Sequence, residues 1–66
     1  MQILLNGAPR DCAQGVTVAS LLEESGYGGR RVAVEVNHEI VPCSLHAKYV
    51  LNEGDRVEII QAVGGG

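Results

Sequence analysis

Apolar and polar residues alternate near both ends of this chain and follow a helical period between them. Met1, Ile3 and Leu5 fall on one side of an extended Met1–Leu5, against Gln2 and Leu4 on the other. Asn6-Gly7 follows, a pair suited to the two positive-φ positions of a type I′ turn, and predicts a hairpin. Ala8–Cys12 is then the return strand, and Pro9, with no N–H to donate, puts it at a sheet edge. Gln14-Gly15 turns the chain toward a stretch in which Val18, Leu21 and Leu22 recur at helical spacing. Thr17 as N-cap and Gly26 as stop bound a helix over Val18–Ser25. Ser20 stands three residues after Thr17, where a capping box needs Glu, and Glu23 and Glu24 form the solvated face.

Beyond the Gly26–Arg31 loop, alternation returns in Arg31–Val36, with Val32, Val34 and Val36 inward and Ala33 and Glu35 outward. Asn37-His38-Glu39 turns it into a short edge strand, Ile40-Val41-Pro42, ended by proline. Ser44–Tyr49 reads as at most a helical turn capped by Ser44, and Leu51–Asp55 as a turn. Val57–Val63, rich in β-branched residues, is the last strand. The order β-β-α-β-β-turn-β is an α+β pattern with one main helix. That helix lies across one sheet face, with Leu21 and Leu22 against Ile3, Leu5, Val34 and Ile59.

Composition narrows what such a domain does. Sixty-six residues allow a single core, residues 1–66 as one domain. Tyr27 and Tyr49 are the only aromatics and the net charge is −3, which disfavours base stacking and phosphate-backbone binding. No apolar run approaches the ~20 residues of a membrane span. Met1 opens into a strand pattern rather than a signal peptide, so a cytoplasmic location is expected. Cys12 and Cys43 are too few for a disulfide scaffold and lack metal spacing; Cys12 is read as a small buried hydrophobe and Cys43 as an incidental thiol. Neither His38 nor His46 has a cysteine or carboxylate at metal or catalytic spacing, so no catalytic residue and no metal is expected.

Gly64-Gly65-Gly66 ends the sequence directly after the last strand. Three glycines free the backbone, and extended they would carry a carboxylate roughly 10 Å beyond the sheet. Two readings stand on these residues alone: an idle, frayed end, or a tail at 64–66 whose carboxylate is the working group.

Over its whole length the chain resembles the small β-grasp sulfur carriers of thiamine biosynthesis, the ThiS-like proteins. The matching features are the MQILLNG opening, Gly-x-Thr-Val-x-x-Leu-Leu at Gly15–Leu22, the Val34–Pro42 stretch, the Gly54-Asp55 turn and Gly65-Gly66. Gly64 adds a third glycine before the pair. The resemblance implies a ubiquitin-like β-grasp fold, a mixed sheet of four to five strands with one main helix packed on one face. It implies a carrier and no enzyme: an E1-like adenylyltransferase uses ATP to adenylate Gly66, and a sulfur donor such as a cysteine desulfurase system converts it to a thiocarboxylate. Thiazole synthase then takes the sulfur. Gly64 and Gly65 thread into the partners' sites, and no cofactor is bound. The molybdopterin synthase small subunit, a ubiquitin-like modifier and a plain binding module are the alternatives.

In a β-grasp sheet the first and last strands are neighbours. Alternation then leaves Leu4, Ala33, Ile60 and Ala62 on the face away from the helix, with Leu4 expected beside Ile60 and Ala33 on the next strand. Contiguous exposed aliphatics usually mark an interface, so this face is the expected partner-docking surface.

Overall fold

Two hairpins and one strand between them make the sheet. The computed structural model describes residues 1–61. Strands β1 (Gln2–Leu5) and β2 (Ala8–Asp11) pair antiparallel, as do β3 (Val32–Val36) and β4 (Glu39–Val41). Strand β5 (Arg56–Gln61) runs between the hairpins, parallel to β1 and antiparallel to β3. The spatial order is β2-β1-β5-β3-β4, so the last strand in sequence is the middle one in space.

Both hairpins close on two residues at positive φ, as the right-handed twist of paired strands requires. Asn6 (φ 50°) and Gly7 (φ 86°) serve the first; Asn37 (φ 51°) and His38 (φ 71°) serve the second. Helix α1 (Val18–Glu24) begins at Thr17, whose Oγ1 accepts from the Ser20 backbone N–H at 3.1 Å. It ends in a Schellman arrangement: Gly26 at φ 87° donates to Glu23 O, and Tyr27 donates to Leu22 O at 2.8 Å. The Tyr27 ring packs against the core, the apolar contact that accompanies this cap.

Helix and sheet bury one continuous apolar layer. Val18, Leu21 and Leu22 meet Ile3, Val32, Val34, Val36, Val57 and Ile59, with Leu5 partly buried at the margin. Arg10 shares this side of the sheet, opposite Ile3, and its guanidinium stands 4.0 Å from Glu24 at the helix end. Cys12 is buried as a small hydrophobe, whereas Cys43 is exposed.

Several expectations need correction. Leu51, assigned to a turn, is a core residue at 1% exposure, because its N–H donates to Val16 O at 2.9 Å and Val50 bridges Thr17. Ser44 is not a cap: the 3-10 turn Cys43–Leu45 is entered from Pro42, with no side chain capping it. Arg31 lies outside β3, which starts at Val32. The predicted last strand holds as far as Gln61, while Ala62 and Val63 lie outside the described residues.

Candidate functional site

Strand β5 is the element on which a working tail would be mounted, so the site is built outward from it. Its start is tied down by side chains. Asp55 accepts from the Asn52 N–H at 2.8 Å through one carboxylate oxygen and from Asn37 Nδ2 at 3.0 Å through the other. Asn37 Oδ1 in turn accepts from the Arg56 N–H at 3.0 Å. The Asn52–Asp55 turn, the β3–β4 hairpin and the first residue of β5 are thereby one hydrogen-bonded unit. On the other flank, Leu4 N donates to Asp55 O and Asn6 N to Val57 O, both at 2.9 Å. Beyond Leu5 the first strand turns away, and Asn6 Oδ1 replaces it by accepting from the Ile59 N–H at 2.8 Å.

The face of the sheet opposite the helix is open. Ala33 and Ile60 are directly opposed across β3 and β5, and both are exposed, Ile60 at 50%. One row toward the start of β5, Glu35 opposes Glu58, and Ile40 of β4 stands on the far side of Glu35 at 61% exposure. A further row holds Pro9, Leu4 and Arg56.

That register corrects the expected adjacency of Leu4 and Ile60. The parallel pairing sets Leu4 level with Arg56, so Ile60 lies four positions further along β5, about 13 Å away at the usual rise per residue. Glu58 stands between them. Ala33 and Ile60 come together as expected, Leu4 belongs to the other end of the face, and Ala62 lies outside the described residues. Gly64, Gly65 and Gly66 lie outside them as well.

The remaining candidates for chemistry are dispersed. His46 is buried and its Nε2 sits 3.0 Å from Val41 O, a packing role between the 3-10 turn and β4. His38 Nε2 is 3.4 Å from Arg56 Nη1 at the surface. Among the described residues, no three His, Cys, Asp or Glu side chains converge as a metal site needs, and no helix is long and apolar enough to cross a membrane.

The side-chain roles missed in the sequence include the Asn6 acceptor beside β5 and the Glu35–Glu58 opposition. Asn-Gly reads as turn chemistry, which hid the first, and a cross-strand register is needed to see the second.

Comparison with known proteins adds to this geometry. The model of the ThiS family matches residues 3–66. The chain is 36% identical over 66 residues to the sulfur carrier protein ThiS of Escherichia coli, covering all of both chains. It is 46% identical over 66 residues to a thiazole synthase of Paramagnetospirillum magneticum. It spans 20% of the length of that protein, and the same share of the Magnetococcus marinus thiazole synthase. Among solved structures, the fold is similar to the thiamine biosynthesis protein ThiS of Geobacter metallireducens, with TM-score 0.86, 29% identity and full coverage of both chains.

Proposed function

The chain belongs to the ThiS family, the sulfur carriers of thiamine biosynthesis, and from that premise we propose that the Gly66 carboxylate is the group that holds the sulfur. A carrier is a substrate passed between enzymes and not a catalyst. On this reading an E1-like adenylyltransferase lets the Gly66 carboxylate attack the α-phosphorus of ATP, and pyrophosphate departs. The acyl adenylate then has a leaving group that a carboxylate lacks. The terminal sulfur of a persulfide on a donor such as a cysteine desulfurase system attacks the acyl carbon and displaces AMP. A second thiol then cleaves the resulting acyl disulfide, becoming a disulfide itself and releasing a thiocarboxylate, which thiazole synthase consumes.

The observation that carries this reading is the placing of β5. It is the middle strand, held on one side by β1 and Asn6 and on the other by β3, and the sequence runs from it into the glycines within a few residues. Such a mount fixes the root of the tail, while Gly64 and Gly65 carry no side chain to clash inside a narrow enzyme site. That whole proteins named thiazole synthase contain a stretch similar to all 66 residues supports thiazole synthase as a direct partner.

The test is the intact mass of the chain after incubation with the adenylyltransferase, ATP and the sulfur donor. Exchange of one oxygen for sulfur, located at Gly66 by fragmentation, is the expected result. A chain lacking Gly66 that still accepts sulfur would overturn the assignment.

A further inference from the structure

At the centre of the open face, Glu35 and Glu58 are direct cross-strand neighbours, and both are half-buried. Like charges placed opposite one another oppose strand pairing. Aliphatic side chains surround the two: Ile40 beside Glu35, and the Ala33–Ile60 pair in the next row. Among the described residues neither glutamate has an ion-pair partner, since the one pair formed is Arg10–Glu24 on the helix side. Arg56 shares the open face, one row away, with its guanidinium directed at His38. A cation standing between the carboxylates would offset that opposition.

We propose that this face docks a protein surface presenting an arginine amid aliphatic side chains, with the guanidinium bridging Glu35 and Glu58. Arginine fits better than lysine because its planar fork offers five donors and spans two carboxylates at once, where an ammonium is a single point charge. Ile60, Ala33 and Ile40 supply the apolar surround that excludes water and strengthens the charged contact. The same two charges work against a phosphate-bearing or acidic partner. The proposal rests on the carrier reading above, with thiazole synthase as the occupant.

The experiment measures binding of the full chain to thiazole synthase by titration calorimetry at low and high salt, beside thermal unfolding of each carrier. Glu35→Gln with Glu58→Gln should weaken binding by roughly tenfold or more, as loss of buried interfacial charge pairs does. The deficit should shrink at high salt, and the unfolding temperature of the double variant should be unchanged or raised. A structural role alone predicts the opposite, lower stability with unchanged affinity. Equal binding of the double variant and the unaltered chain overturns the arginine proposal while leaving the partner standing. No binding by the unaltered chain overturns the partner reading, and the proposal with it.

Discussion

Asn6 Oδ1 accepts a 2.8 Å hydrogen bond from the backbone N–H of Ile59, fifty-three residues away in sequence. One side chain thus completes the hairpin turn at positive φ and supplies the ladder partner that β1 cannot provide after Leu5. Asn6→Ala should lose both functions, and leaving a part-buried donor without a partner costs about 1–3 kcal/mol. Asn6→Gly keeps the turn and loses only the acceptor, so it should fall between the two in thermal unfolding. An alanine variant as stable as the parent would show that the bond adds nothing.

Thr17→Ala removes the side chain that caps α1, a change of about 1 kcal/mol. For a domain of this size the expected fall in unfolding midpoint is roughly 4–8 °C. Thr17→Ser retains the acceptor and should recover most of it in the same calorimetric scan.

Leu51→Ala tests the core residue that lay hidden in a turn. At 1% exposure the cavity should cost about 2–5 kcal/mol, a large part of the stability of so small a domain. Denaturant titration should show the midpoint drop sharply. A loss well under 1 kcal/mol would mean that the segment packs less tightly than its position implies.

Gly65→Val probes the tail. The added Cβ removes the freedom for positive φ and widens the chain where, on the function proposed above, it enters the adenylating site. Displacing the reacting carboxylate by about 1 Å is enough to cost roughly a hundredfold, so pyrophosphate exchange should slow by that order with the fold unaltered. Unchanged kinetics would argue against a narrow entry.

Ile60→Glu sets a third carboxylate beside the Glu35–Glu58 pair and should weaken association with thiazole synthase more than Leu4→Glu does. Leu4 lies in the row of Pro9 and Arg56, at the other end of the face. Surface plasmon resonance of the two variants against the parent decides it; equal losses would require a footprint covering the whole sheet.

How much of this was readable beforehand follows the range of the interactions. Helix α1 was legible because Thr17, the Val18-Leu21-Leu22 spacing and Gly26 are local signals that agree. The strands and the inward set Ile3, Val34 and Ile59 followed from alternation of period two. Leu51 did not, because its burial depends on the partner it finds at Val16. Alternation also assigns faces without assigning rows. It placed Leu4 and Ile60 on the same side correctly and gave no means of seeing that a parallel register sets Leu4 beside Arg56.

The central position of β5 has a consequence for how the protein is made. A ribosome releases the two hairpins first, and an isolated hairpin is marginal in water. Neither has a neighbour across its inner edge until residues 56–61 emerge, so the sheet is assembled by its last strand, through contacts between distant parts of the chain. A product that stops short of β5 lacks the strand through which the two hairpins pair into one sheet. The strand that completes the sheet is also the one the glycines follow, so the joining of the two hairpins and the synthesis of Gly64–Gly66 lie close together in time.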